Sequence, residues 1–183
     1  MLEIESFKSA LKNGLARSNL FKVNLPTIPN MGIQSGGLSA IDRNLLCKAT
    51  NLPGRQIMTN ERMIGVKAEK LAYGFLQEDV SMTFHVTNDY GLKKYFQAWQ
   101  ALIIDPDTYE LSFKNEYSRE VQIHQLDHQE NVIYTCKLIE AFPTTVNAIE
   151  LNNDPNGLVE INVQLSYRDW DTPRVKAQLI LEE

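Results

Sequence analysis

The chain has 183 residues, of which 43% are hydrophobic and 22% charged, as is usual for a globular protein. Eighteen basic and 23 acidic residues give a net charge of −5 without a basic block, so binding to nucleic acid or to an anionic membrane is disfavoured. No apolar run reaches the ~18 residues of a membrane-spanning helix, and the N-terminus has no secretory pattern. Cys47 and Cys136 predict small buried side chains of a cytosolic protein.

Two segments have the spacing of amphipathic helices. The first is an N-terminal helix at 1–16, whose apolar stripe is Ile4, Phe7, Leu11 and Leu15. The second and stronger pattern occupies 92–103 and stops before Asp105-Pro106. Its apolar positions are Leu92, Tyr95, Phe96, Trp99, Leu102 and Ile103.

The remaining pattern is mostly that of β-strands, with apolar and polar residues alternating. The predicted strands are 19–25, 45–50, 80–87, a hairpin from Val121 to Leu138 with its turn at 127–131, 158–167, and a last one at 175–181. The sequence at 142–145 interrupts this pattern. Because strands outnumber helices and adjoin one another through turns, we expect a mainly β sandwich or barrel with helical additions, in one domain spanning 1–183.

Two segments fit neither pattern well. Residues 26–40 contain two prolines, three glycines and little charge, which predicts a long loop with a functional role. Residues 55–72 alternate with mixed faces, so they predict an extended segment whose buried side is undefined.

Histidine and cysteine spacing predicts no catalytic or metal site. His124 and His128 are four residues apart, which on a strand spans roughly 13 Å. Cys136 alternates with apolar residues and is expected in the core. The motifs HExxH, GxGxxG, GxxxxGK[ST], GxSxG and CxxC do not occur, so we expect no enzyme activity and no cofactor or metal.

Several segments follow one another in a recognisable order. They are 16–23, 46–54 (LCKATNLPG), 80–89 (VSMTFHVTND), the helix with Phe96 and Trp99, 141–146 (AFPTTV), and the aromatic pair Tyr167 and Trp170. Their order and spacing resemble the tail tube proteins of contractile-tailed bacteriophages, which are related to type VI secretion ring proteins.

The resemblance implies two packed β-sheets, in a sandwich or half-barrel, with a flanking α-helix and the N-terminal helix. It implies a structural virion protein, assembled in the host cytoplasm, whose hexameric rings stack into the inner tube that delivers phage DNA during contraction. One sheet of each subunit would join its neighbours in a 24-stranded barrel. At −5 per subunit, a ring of six carries −30 and would not hold passing DNA.

The implied partners are further copies of the chain, the sheath protein, the baseplate or tube initiator, the tail terminator, and the tape measure protein and DNA in the lumen. The candidate lumen-facing residues are Ser81, Thr83, His85, Thr87, Gln122, His124 and Gln125. The candidate contacts between subunits and rings lie in the N-terminal helix, in 26–40 and in 55–72. They are Ile4, Phe7, Leu11, Ile28, Met31, Ile33, Leu38, Ile57, Met58 and Met63.

Two alternatives remain open. The chain could be the tube protein of a type VI secretion system or another contractile injection system, or a specialised tube initiator. It could also be a monomeric β-sandwich that binds a small ligand or peptide.

Overall fold

The computed structural model describes residues 15–28, 39–149, 151 and 157–172. The strand predicted at 175–181 lies outside these residues, as does the N-terminal helix apart from its last two positions. Among the described residues, no helix is long and apolar enough to cross a membrane.

Antiparallel strands make up most of the described chain. The strands are β1 (Phe21–Asn24), β2 (Cys47–Thr50), β3 (Arg55–Ile64), β4 (Lys67–Gln77), β5 (Val80–His85), β6 (Arg119–Leu126), β7 (Val132–Val146), β8 (Glu160–Ser166) and β9 (Asp169–Asp171). The helices are α1 (Ala40–Leu45), α2 (Gly91–Ile103) and α3 (Lys114–Tyr117).

One long strand, β7, connects two sheets. Six strands follow one another in the order β1-β6-β7-β8-β5-β2, and β9 pairs with β7 beside that path. Residues 132–141 of β7 pair with β6 and β9, whereas 142–146 pair with β8. We call the two halves the β6 sheet (β1, β6, the first part of β7 and β9) and the β8 sheet (the last part of β7, β8, β5 and β2).

The change of partner, between Ala141 and Phe142, comes just after Glu140. This residue has a φ of 54°, in the left-handed region that side chains other than glycine rarely adopt. Its carboxylate accepts from Arg168 Nη1 at 2.7 Å and from Lys114 Nζ at 3.0 Å. The left-handed conformation of Glu140 costs roughly 1–2 kcal/mol, and the two ion pairs help to stabilise it by holding the carboxylate in place.

Both sheets turn their apolar residues into one core. The fully buried strand residues include Val80, Met82, Phe84, Val121, Ile123, Cys136, Leu138, Ile161, Val163 and Leu165. Helix α2 adds Leu92, Tyr95, Phe96 and Trp99 to the same cluster. The Tyr95 hydroxyl donates to the Pro26 carbonyl at 2.7 Å and Trp99 Nε1 to the Tyr117 carbonyl at 2.8 Å, so both buried polar atoms are satisfied.

The strong patterns of the sequence are confirmed. The predicted helix at 92–103, the 121–138 hairpin and the strands at 19–25 and 158–167 all form, with shifts of a few residues at their ends. The two-sheet, mainly β architecture is also present.

Three predictions near strand ends were wrong. Leu45 ends helix α1, which begins because Ser39 and Asp42 form a capping box, so β2 starts only at Cys47. Strand β5 ends at His85, before Thr87. The segment 142–145 does not interrupt β7, because a bulge after Pro143 accommodates a residue that cannot donate a hydrogen bond.

The bend at Glu140 gives a testable difference between two variants. Glu140→Ala and Glu140→Gly both lose the ion pairs, but only glycine also relieves the left-handed strain. We expect Glu140→Ala to unfold with a free energy about 1 kcal/mol below that of Glu140→Gly, measured by urea titration. Equal stability, or a more stable alanine variant, would show that the backbone here is unstrained.

Candidate assembly surfaces

The outer face of the β8 sheet is a polar ladder. Ser81, Thr83 and His85 of β5 stand opposite Gln164, Asn162 and Glu160 of β8. The Asn162 side-chain amide donates to Ser81 Oγ at 2.9 Å and to Thr83 Oγ1 at 3.1 Å. Neutral side chains on this face therefore bond to one another across β5 and β8.

The charges on this face balance. Lys48 Nζ lies 2.6 Å from Glu160 Oε1, and His85 Nδ1 lies 3.7 Å from the same oxygen. The hydrogen bond from Lys48 and its positive charge hold the pKa of Glu160 below its usual value. The face therefore presents one lysine paired with one glutamate on a background of neutral polar groups.

The outer face of the β6 sheet is different. Gln122 and His124 lie on it, and the His124 ring contacts Asn24 Nδ2 and Thr135 Oγ1, both at 3.0 Å. Burial, and after it the charges of Lys22 and Lys137, lower the pKa of His124. This face therefore carries Lys22, Lys137 and His124 together with two acidic residues, Glu120, which accepts from Gln122 Nε2, and Asp171, which stands opposite Lys137.

The candidate lumen residues do not share one surface. Ser81, Thr83 and His85 lie on the outer face of the β8 sheet, while Gln122 and His124 lie on that of the β6 sheet. Thr87 lies beyond β5, where its hydroxyl donates to Asp89. The Gln125 side chain donates to the carbonyls of Arg17 and Leu20, at 2.7 and 2.8 Å, so it fixes the chain before β1.

Both edges of the β8 sheet are open within the described residues. Strand β2 pairs with β5 only, and residues 142–146 of β7 pair with β8 only. The Asn51 amide donates to the Ser81 carbonyl across the ladder, so the amide of Thr50 points to the opposite, open side. Unpaired donors and acceptors on an edge strand are a template for pairing with another chain.

Strands β3 and β4 form a long hairpin that pairs with neither sheet. Three residues of β3 and β4 are half-buried. The others whose exposure is assigned are all exposed, and they include several large apolar side chains. They are Ile57, Met63, Leu71, Tyr73, Phe75 and Leu76, together with Val66 in the turn. Met58 is half-buried and accepts from the Tyr73 hydroxyl at 3.6 Å. So much exposed apolar surface in one element marks an interaction site.

Arg55 fixes the base of this hairpin. Its guanidinium lies 4.5 Å from the ring centres of both Phe75 and Trp170, and Nη2 lies 3.2 Å from Asp169 Oδ1. Gln77 Nε2 donates to the same oxygen at 3.2 Å. The hairpin is therefore held against β9, at one edge of the β6 sheet. The sequence pattern of 55–72 gave no sign of this contact, because it depends on residues more than 90 positions away.

One predicted contact between subunits was wrong. Ile28 is 3% exposed and belongs to the core of its own subunit. Ile57 and Met63 are exposed on the hairpin, and Met58 is half-buried there. The remaining predicted contacts, Ile4, Phe7, Leu11, Met31, Ile33 and Leu38, lie outside the described residues.

The thiols and carboxylates form no reactive constellation in the described part of the chain. Burial raises the pKa of Cys47 to about 12 and that of Cys136 to about 11, so both thiols stay protonated near neutral pH. No group of three or more His, Cys, Asp or Glu side chains could hold a metal ion among these residues.

A family model described as phage tail tube protein matches residues 16–173. The chain belongs to the phage tail tube protein family. The family is one of structural tube components, and the resemblance seen in the sequence is confirmed. A search of curated protein sequences found no match.

Solved structures of contractile injection systems share the fold of this tail tube protein. A chain of the PVC sheath-tube complex aligns with a TM-score of 0.63 and 13% identity, over 91% of this protein and 97% of that chain. A chain of the six-fold symmetrised anti-feeding prophage baseplate aligns at 0.59 and 17%, over 88% and 97%. A chain of the anti-feeding prophage tube-terminating cap aligns at 0.61 and 12%, over 86% and 90%.

The lowered pKa of His124 predicts how the stability of the tail tube protein depends on pH. In the unfolded chain a histidine titrates near ~6.5, so the unfolded state binds more protons in the window below that value. The contribution of His124 is complete above pH ~6.5 and is lost as the pH falls towards its lower folded pKa. When the pH is lowered from 7.5 to 5.5, the Tm of His124→Gln should therefore fall by less than the Tm of the wild type.

Lys137→Gln is the matched variant for this measurement. It keeps the histidine but removes one of the two charges that oppose its protonation, so its loss of Tm should lie between those of the wild type and His124→Gln. A His124→Gln protein whose Tm falls as steeply as the wild type would refute this role of His124.

Proposed function

We propose that this tail tube protein assembles into six-membered rings that stack into a hollow tube, with the β8 sheet of every copy lining the bore. The observation that carries the proposal is the pair of open edges on the β8 sheet, at β2 and at residues 142–146 of β7. The β6 sheet is a poorer candidate because the hairpin base occupies its β9 edge.

The strand directions suit ring closure. Successive strands of the β8 sheet alternate in direction, so β2 runs opposite to β7. A copy of β2 placed beside β7 of the next copy would continue the antiparallel pattern. Six copies of a four-stranded sheet would close into a barrel of 24 strands, wider than the 16–18-stranded barrels that already enclose a water-filled channel.

The chemistry of the outer face suits a conduit. Ser81, Thr83, Asn162 and Gln164 are neutral, and the Lys48–Glu160 pair cancels its own charge. In a bore lined in this way the basic group of Lys48 is paired with Glu160 and does not stand free to hold DNA phosphates, so a genome could slide through it without sticking. We therefore assign this protein to the delivery of phage DNA through the tail tube when the surrounding sheath contracts.

Other components would meet the remaining surfaces. The β6 sheet, with Lys22, His124 and Lys137 on its outer face, would look outwards to the sheath. The baseplate or tube initiator and the terminator would meet the ends of the tube, and the tape measure protein would occupy the bore. The likeness to chains of sheath-tube, baseplate and cap assemblies supports the sheath, the baseplate and the terminator as partners.

Blocking the β2 edge tests the proposal. Thr50→Pro removes the amide that points to the open side, while the Asn51 bond to Ser81 on the other side stays. We expect this variant to fold but to remain monomeric in a concentration series followed by negative-stain electron microscopy and light scattering.

Thr50→Val is its matched control, because it also loses the hydroxyl but keeps the amide. We expect Thr50→Val and the wild type to form rings or hollow tubes of uniform bore as the concentration rises. A wild type that stays monomeric throughout, or a Thr50→Pro variant that assembles as readily as Thr50→Val, would count against the proposal.

A further inference from the structure

The match to the family model ends at residue 173, so residues 174–183 lie beyond the part of the chain that the family pattern covers. Residues 173–183 are also outside the described residues. In the sequence, apolar side chains at 175, 177 and 179 alternate with polar ones at 174, 176 and 178. This is the pattern of a strand with one apolar face, and such a strand needs an edge to pair with.

The first part of β7 has an open edge directly ahead of this segment. Strand β9 pairs with residues 137–139 of β7, and within the described chain residues 132–136 have no partner on that side. Val132 and Ile133 are 55% and 54% exposed there. An edge of this kind is a template for pairing with a further strand.

The backbone groups of Ile133 and Thr135 point to the open side. The Leu126 amide donates to a carbonyl of the chain before β1, so the preceding residue of β6, Gln125, faces β7. Its partner Tyr134 faces β6 in return. Because successive residues of a strand bond to opposite sides, the amides and carbonyls of Ile133 and Thr135 are directed towards the β9 side.

Strand β9 aims the chain along this edge. It runs antiparallel to β7 with Asp171 opposite Lys137, and the side chain of the next residue, Thr172, contacts the Tyr134 hydroxyl. Continued in the same register, the chain would place Val175 opposite Ile133. The apolar face of the new strand would then lie on the side of the sheet where Ile133 lines a groove of about 520 Å³.

Two local features bear on the fit. Pro173 would stand opposite Thr135, where its carbonyl can accept but its nitrogen cannot donate, so the pairing loses one hydrogen bond, as an edge strand can tolerate. The basic residues at 174 and 176 would approach the turn at 127–131, which contains Asp127 and Glu130. Opposite charges at the end of the strand favour this placement.

We infer that residues 173–181 pair with residues 132–136 of β7 in their own subunit and close this edge of the β6 sheet. The own subunit is favoured over another copy because β9 already holds the start of the segment at the edge, so little chain entropy is lost on pairing. Closing this edge leaves the edges of the β8 sheet for pairing between copies. That consequence rests on the proposed tube, whereas the pairing itself does not.

Hydrogen exchange of the full chain, kept below the concentration at which particles form, tests the pairing. The comparison is a variant that lacks residues 173–183. We expect the amides of Ile133 and Thr135 to exchange at least roughly tenfold more slowly in the full chain, because a ladder hydrogen bond protects them. The amide of Tyr134, which faces β6, is the internal control and should exchange equally in both proteins.

A cysteine pair provides a second test that does not depend on how well the shortened variant folds. Under mild oxidation, Ile133→Cys with Val175→Cys should form a disulfide within one chain, seen as a monomer of altered mobility in a non-reducing denaturing gel. Ile133→Cys with Lys176→Cys is the matched control, because on a strand residue 176 points to the opposite face and should link far more slowly. The native thiols compete poorly, since burial raises the pKa of both.

The outcomes separate the inference from the proposed function. Equal linking through residues 175 and 176, or equal exchange at Ile133 and Thr135 in the two folded proteins, overturns the inference and leaves the tube in place. Disulfides that form only between chains overturn the assignment to the same subunit. Protected amides and a link within one chain, in a protein that forms neither rings nor tubes, contradict the proposed function and support the inference.

Discussion

The bend at Glu140 determines how the rest of the chain is arranged, because it lets one strand belong to two sheets. Through Ala141 β7 pairs with β6 and β9, and from Phe142 onwards it pairs with β8. The left-handed backbone at Glu140 is held by Lys114, which begins α3, and by Arg168, which precedes β9. The same bend releases residues 142–146 from β6 and so creates an open edge. A local backbone conformation is thereby linked to the surface through which copies of the protein would pair.

Two further features follow from this arrangement. The outer faces of the two sheets differ in character. That of the β8 sheet is mostly neutral and self-bonded, with its lysine paired to Glu160, whereas that of the β6 sheet carries several charged side chains, Lys22 and Lys137 among them. The exposed apolar residues of the hairpin have no partner within the described part of their own subunit. Arg55, which packs between Phe75 and Trp170, fixes the orientation of the hairpin. In the described residues the core is therefore closed, while the two edges of the β8 sheet stay unpaired and the hairpin exposes apolar side chains.

The sequence predicted those parts of the fold whose periodicity is strong and whose burial is one-sided. Helix α2 and strands β5 and β8 are examples, because alternation or helical spacing is enough to show which face is buried. It did not predict the continuation of β7 through Pro143. The strand tolerates this proline because β7 has a bulge where it pairs with β8, and that pairing is not visible in the local sequence. It also grouped Thr83 with Gln122 as one polar surface. Alternation gives the face of a strand but not the sheet to which the strand belongs. The role of Arg55 was invisible for a similar reason, since Asp169 and Trp170 become its neighbours only after folding.

The central claim is that the β8 sheet closes with its copies around a bore. The most direct test is cryo-electron microscopy of the assembled protein at a resolution that separates strands. The account predicts six copies per ring, with β2 of each copy hydrogen-bonded antiparallel to residues 142–146 of the next, and with Thr83 and Asn162 facing the bore. A ring in which Gln122 and His124 line the bore, or in which the β2 edge remains unpaired, would contradict it.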